Sequence, residues 1–441
     1  MALRHARNLP KPSPSNRVTI YAVKDIAAVR KLGELASNAA GVYIPRAGAT
    51  MAITPRINQA SDKTEMGGET ILYHEYAHHF MLHITNRVMP KWFVEGFAEF
   101  YSGLKFTDDA VGVGLPAYHR TNDFAFGFKV PIRFLLRAEG DAGSDSRGNS
   151  FYAQSWLLMH YLTFSKERAS QFPTYFSLLA KGTPALDAAE EAFGDPDKLS
   201  KDLDAYFAKR SLSYLPLARS KLSIGPITSR VVSPGHAALM YPIIKAQRGV
   251  DEEEAKALAV TVRQIAAKFP DDAAAQTALA EAEIDSGNLE AGLKAADRAI
   301  ALNPQDIKAY LQKGRALFRK AQDSKKPEDW QATRKLYLAA NRMEIDNPIP
   351  LIQFYQTFNE EGITPNKSAI AGIERAAVLA PFDRALQWTL ATQYARDSRL
   401  ADAIDRLEPI AYSPHQGEAA KAAQAKIAEW QAQVKAAPAK P

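Results

Sequence analysis

The sequence predicts an α+β domain over residues 1–215, a linker over 216–234 and an all-α array of helix pairs over 235–441. Three observations carry this division. Short alternating segments separated by turn residues fill the first part of the chain, and helical periodicity takes over from Glu69. Residues 211–234 contain Pro216, Pro226 and Pro234 and read as a connection. Beyond them the chain becomes Ala-rich. Prolines at 234, 270, 304, 348, 381 and 414 recur at gaps of 36, 34, 44, 33 and 33 residues, each able to end a helix pair.

Composition narrows the function before any motif is read. With 441 residues, 46% of them apolar and 24% charged, the chain can build two or three cores, and wholly disordered or fibrous classes are excluded. No run approaches the roughly 18–20 apolar residues of a membrane-spanning helix. The chain has no cysteine, so any metal must be held by His, Asp or Glu. The net charge of +6 comes from residues 1–65, which hold ten Lys/Arg against four Asp/Glu, so the remaining chain sums to zero. A basic leading segment is not a basic groove, and nucleic acid is not expected as a partner. Residues 1–17 are basic and Pro/Ser-rich without the apolar stretch of a secretory signal, which leaves location open.

Element by element, Arg17–Val23 alternates as a strand, and Asp25 caps a helix expected to run to Ala40, where Gly41 stops it. Extended pieces follow at Val42–Arg46 and Ala49–Arg56. Helices are expected from Glu69, over Pro90–Tyr101, over Phe151–Phe164 after a flexible Gly140–Ser150 loop, and over Asp187–Arg210. Ser229–Val232 reads as one short strand in the linker.

The chemistry lies in Tyr73-His-Glu-Tyr-Ala-His-His79. His74 and His78 are four apart, so on a helix their imidazoles share one face and can chelate one ion. Glu75 reaches the open side of such an ion, where it can take a proton from bound water. In the next helix, Glu95 and Glu99 are again four apart among Trp92, Phe93, Phe97 and Phe100. Carboxylates facing inward on so apolar a helix need a counter-charge. A zinc ion (Zn2+) on His74, His78 and Glu95 supplies it, with Glu99 accepting a proton from the free ring nitrogen of a ligand His. His79 and His83 lie about 100° or more round the helix from that face and read as surface or satisfied core histidines.

These blocks resemble the gluzincin metallopeptidases, the peptidase MA-like clan. His74-Glu75-Tyr76-Ala77-His78 matches their HExxH, and Trp92-Phe93-Val94-Glu95-Gly96-Phe97-Ala98 looks like the W-x-x-E-G-x-A block that carries the third ligand. Glu99 matches the acidic residue that the thermolysin-like branch keeps four positions later. A metzincin pattern fails, since its third His would fall at Ile84 and its Gly at Met81. The resemblance implies an α+β gluzincin-type metallopeptidase domain, a zinc peptidase (a hydrolase) with Glu75 as general base, and a peptide or protein substrate. It further implies a tyrosine that stabilises the oxyanion; Ser150-Phe-Tyr-Ala-Gln-Ser-Trp156 resembles the segment that carries it, making Tyr152 the candidate against a plain core tyrosine. Tyr118, His119 and His160 are weaker contenders. Gly48–Ile53 sits where the family has an edge strand that pairs with substrate, but no acidic residue lies between Glu34 and Asp62, which favours cleavage within peptides over removal of terminal residues.

The proline spacing resembles a tetratricopeptide (TPR) array of four or five repeats plus a last helix, Gly417–Val434. The best copy is 273–304, with Leu279-Ala280, the Gly287-Asn288 turn and Ala299; Ala376 bears the same relation to Pro381. The insertion Gln322–Asp329 accounts for the long gap. Such an all-α TPR-like solenoid implies a groove for a protein partner or substrate. The alternative reading is a catalytically inactive peptidase-like TPR scaffold.

Overall fold

The structure is a computed structural model that describes residues 17–37, 39–56, 66–84, 89–127, 129–137, 146–168, 170–209, 211–222, 225–412 and 417–436. The chain is mostly helical, and its C-terminal half is a TPR-like solenoid. Among the described residues no helix is long and apolar enough to cross a membrane.

The N-terminal part holds two small sheets against a bundle of helices. Strands β1 (Thr19–Val23), β2 (Val42–Ile44) and β3 (Met51–Pro55) form the first, in the order β1-β3-β2. β3 is buried at every position, parallel to β1 (Tyr21 opposite Ile53) and antiparallel to β2 (Tyr43 opposite Ala52). Residues 48–53 therefore do not make an edge strand. A partner lies on each side of β3, and the edge nearest the helix that carries His74 and His78 is β2. Between β1 and β2, Asp25 caps helix α1 (Ile26–Gly33). The helix ends well short of Ala40, because Glu34 takes a left-handed conformation and its N–H returns to the Arg30 carbonyl.

Helix α2 (Gly68–Ile84) packs on β2 and β3, and α3 (Lys91–Ser102) packs on α2. Strands β4 (Lys105–Phe106) and β5 (Ala110–Val113) follow, then a 3-10 turn (Tyr118–Arg120), α4 (Thr121–Phe126) and α5 (Ile132–Arg137). Helix α6 (Ser146–Phe164) begins before Phe151, within the expected Gly140–Ser150 loop; residues 140–145 of that loop lie outside the described residues. Next come α7 (Gln171–Ala180), α8 (Ala185–Phe193) and α9 (Pro196–Phe207). The single helix expected over 187–210 is thus two, divided where Gly194 adopts φ +85° and Asp195 caps α9 ahead of Pro196. Strand β6 (Leu215–Ala218) closes the second sheet beside β5. No strand forms at Ser229–Val232, where Val231 is 98% exposed and the segment joins neither sheet.

One aromatic and aliphatic core, built from Trp92, Phe97, Trp156, Leu158 and Tyr175 among others, joins α3 to α6 through α9. Its tightest crossing is at Gly96: a Cβ there would stand 2.5 Å from the Ser155 carbonyl oxygen of α6. The glycine after Glu95 is needed for that approach, because backbone cannot shift aside as a side chain can.

The array runs through α10 (Pro234–Ala238) and α11 (Met240–Arg248) into α12 (Glu252–Ala266), then α13 (Ala273–Asp285), α14 (Leu289–Leu302), α15 (Ile307–Ser324), α16 (Pro327–Met343), α17 (Pro348–Glu361), α18 (Lys367–Leu379), α19 (Arg384–Arg396), α20 (Leu400–Ala411) and α21 (Glu418–Ala436). Asp272, Asp306 and Asp383 cap helices two residues after Pro270, Pro304 and Pro381, so each Pro-x-Asp stops one pair and starts the next. Pro348 instead opens α17, with Asn347 as the cap, and Pro234 opens α10. The insertion is absorbed by lengthening α15 and α16 about the Lys325–Lys326 turn. Ala280, Ala296, Ala299 and Ala376 are buried at the crossings, where small residues let helices approach.

The sheet and the array are packed together. Ile244 of α11 belongs to the core of the first sheet, Tyr21 donates to Gln247 at 2.7 Å, and Arg46 donates to the Arg248 carbonyl at 2.6 Å. Replacing Gly96 by Ala should destabilise the protein by about 1–3 kcal/mol through overpacking, measured as a lowered urea midpoint; an unchanged midpoint would show that α3 and α6 can separate freely.

Candidate metal centre

Two adjacent helices build the site. The turn spacing of α2 sets His74 and His78 side by side, ring centroids 4.8 Å apart, and Glu95 projects from α3 toward both. His74 Nε2 and His78 Nε2 are 3.1 Å apart, and Glu95 Oε2 lies 3.6 Å from the first and 3.7 Å from the second. These three residues are the one His/Asp/Glu group among the described residues placed to hold an ion. The circle through the three donor atoms has a radius of about 2.0 Å, against ligand bonds of roughly 2.0–2.2 Å for zinc on His and carboxylate. The donor set and its spacing fit the ion.

Glu99 is fully buried and lies behind His74, its Oε1 3.4 Å from His74 Nδ1, which is buried without a hydrogen-bond partner. Two further groups hold the same carboxylate: Nε2 of His119 at 2.7 Å and the Arg120 guanidinium. Arg120 also reaches Asp123 at 3.5 Å and lies over the Tyr152 ring, 5.1 Å from its centroid.

Electrostatics follow from these distances. Burial alone would lower the pKa of His74, but Glu95, Glu99 and Glu75 outweigh it and raise it to about 10. Burial takes His78 down to about 4, with His74 adding to the effect against Glu95. Burial opposes ionisation of Glu95, yet His74 and His78 bring its pKa below the usual range. For Glu99, burial is overcome by Arg120, His119 and His74, which hold it far below. Burial lifts Glu75 to about 7, with His74 opposing and Glu95 and Glu99 assisting. A Cβ on Gly41 would stand 2.7 Å from Glu75 Oε1, so the carboxylate sits against the chain entering β2. Without an ion, a proton on His74 supplies the positive charge the carboxylates require.

The remaining sequence candidates divide. Tyr152 is at the site, its ring centroid 6.3 Å from that of His74 and its hydroxyl kept protonated by the Glu95 charge and then by burial. Tyr118 is exposed. His160 is fully buried away from the site, bonded to the Tyr206 hydroxyl at 2.8 Å and the Gly114 carbonyl at 2.9 Å. His79 is a satisfied core histidine, 3.2 Å from the Tyr43 hydroxyl, while the His83 side chain lies outside the described residues. His119 holds Glu99 and so is not free for an oxyanion. Arg120 carries no sequence signal beyond a basic pair, His119-Arg120, ahead of Thr121-Asn122-Asp123.

No family model matches this chain, and no curated protein matches it. Solved structures do. The chain is similar to TTC0263, a thermophilic TPR protein of Thermus thermophilus, at 15% identity over 45% of this chain and 99% of that one, with a TM-score of 0.36. It is similar to MamA at 14% identity, 45% and 99% coverage and a TM-score of 0.29. It is also similar to yeast Tom70 at 13% identity, 82% and 73% coverage and a TM-score of 0.29. The comparisons lend no support to the expected zinc metallopeptidase, and that expectation is withdrawn. The physical reason is that HExxH followed by a glutamate specifies a chelating geometry, and chelation by itself does not specify turnover.

The His74 proton sets a pH dependence. Any ion bound through Nε2 must displace it, so zinc affinity should rise with pH, about tenfold per unit, between about 7, where Glu75 loses its own proton, and about 10. Chelator-competition titrations across that range check the slope; a flat profile would show that His74 is already neutral.

Proposed function

We propose that this protein is a binding scaffold. Its TPR-like array holds a protein partner, and its N-terminal domain, gluzincin-like in its HExxH and Glu95 placement but without turnover, is held together by one zinc ion on His74, His78 and Glu95. The observation that carries the metal half is the donor triangle, whose radius of about 2.0 Å suits one small divalent cation. Zinc is favoured over harder ions by two imidazoles. Once bound, the ion takes over from a proton the task of neutralising Glu95, and it ties α2 to α3.

The partner half is supported by the shape of the array. A cleft of about 1170 Å³ runs between β1 and the first repeats, lined by Tyr21, Arg230, His236, Lys268, Glu281 and Lys308 among others. β1 is an edge strand of its sheet, so its outer backbone groups are available to an extended segment lying there. On the metal side, the sheet edge beside α2 is the three-residue β2, and β3 has no edge to offer a substrate. That short edge favours a structural centre over a cleft that processes extended chains.

Two measurements test the reading. The purified chain should contain one zinc per molecule, and chelation should lower its melting temperature; His78→Ala should abolish both, whereas Glu75→Gln should keep the metal. Incubated with unfolded casein, the zinc-loaded protein should leave it intact. Sustained cleavage that disappears in Glu75→Gln would overturn the scaffold assignment, and an absence of bound zinc would overturn the metal assignment.

A further inference from the structure

We propose that Arg120, together with His119, is a positioning residue of the metal centre, acting on the ion through Glu99 and His74. This rests on the reading of His74, His78 and Glu95 as zinc ligands.

A ligating imidazole must present its Nε2 lone pair to the ion, which requires the proton to sit on Nδ1. His74 Nδ1 is buried without a hydrogen-bond partner and faces Glu99 Oε1 at 3.4 Å, so Glu99 is the acceptor placed to set the tautomer and the ring angle when the imidazole turns to an ion. Glu99 is fully buried, and a buried carboxylate without partners would either take up a proton or turn toward another donor. Arg120 and His119 prevent both. The guanidinium and His119 Nε2 engage both oxygens of Glu99, Arg120 on Oε1 and His119 on Oε2. Oε1 thus faces both Arg120 and His74, so the guanidinium holds the carboxylate where it meets the imidazole.

Arg120 is itself restrained. It stands where the 3-10 turn meets α4, with Asp123 3.5 Å from one nitrogen and the Tyr152 ring 5.1 Å below the guanidinium. The chain of contacts therefore runs from α4 and α6, through Arg120 and Glu99 on α3, to His74 on α2. The fork geometry of a guanidinium is required, because a lysine ammonium could not meet Glu99 and Asp123 together.

The full-length chain is titrated with zinc against a chromogenic chelator, and with cobalt, whose visible bands report the ligand geometry. Arg120→Ala should weaken zinc binding about 10- to 100-fold, as loss of such supporting partners does, and should shift the cobalt bands. Arg120→Lys should recover only part of the affinity. Glu99→Gln should weaken binding similarly, and the double variant Arg120→Ala/Glu99→Gln should lose no more than the worse single one, since both act through one contact. Wild-type affinity and an unchanged cobalt spectrum in a folded Arg120→Ala protein would overturn the proposal, as would full additivity in the double variant. If Arg120→Ala does not fold, His119→Gln reads the other arm of the same carboxylate, and unchanged affinity there has the same force. A wild-type chain that binds no zinc would instead defeat the zinc assignment on which the proposal rests.

Discussion

Two acids one helical turn apart, Glu95 and Glu99, stand inside an aromatic core, and the surrounding side chains are arranged to answer their charge. Glu99 has Arg120 and His119. Glu95 has the two imidazoles of α2. Removing these partners would leave ionised groups in a medium that cannot solvate them, a cost of several kcal/mol each. The constraint explains why helices from separate stretches of chain converge here: α2 brings histidines, the turn before α4 brings the arginine, and Gly96 lets α3 lie close enough to α6 to enclose the site.

Much of this was readable because it is local. The four-residue spacing of His74 and His78 dictates a shared helical face whatever the fold, and the same holds for Glu95 and Glu99. The Pro-x-Asp punctuation of the array is equally local, a stop signal followed by a cap. What could not be read depends on partners distant in sequence. Nothing in Gly48–Ile53 reveals that β1 and β2 flank it on both sides, and nothing in Ser229–Val232 reveals that it stays outside both sheets. The break at Gly194-Asp195-Pro196 was visible in principle, since glycine, a capping acid and proline in succession end one helix and begin another. Arg120 was invisible for a different reason. Its meaning comes only from the carboxylate it meets, twenty-one residues away.

Withdrawing the peptidase expectation separates two things that a short motif joins. Helical spacing places donor atoms; catalysis also requires a place for substrate beside them. Here the donors converge, while the strand expected to receive a substrate is the buried centre of its sheet. The helical repeats occupy the larger share of the described chain, and the N-terminal sheet is built against them.

That last contact has a mechanical consequence. Helical repeat arrays touch only their neighbours and so tend to fray from the ends. Here the β2–β3 hairpin spans several repeats: Arg46 grips α11, Ala47 is buried in the core of the array, and the exposed Gly48 comes up against Asn347 and Ile349 at the start of α17. Helices about a hundred residues apart in sequence are thereby clamped by one small sheet. The solenoid is no longer a one-dimensional stack free to melt turn by turn, and its repeats must come apart with the sheet as a single cooperative unit.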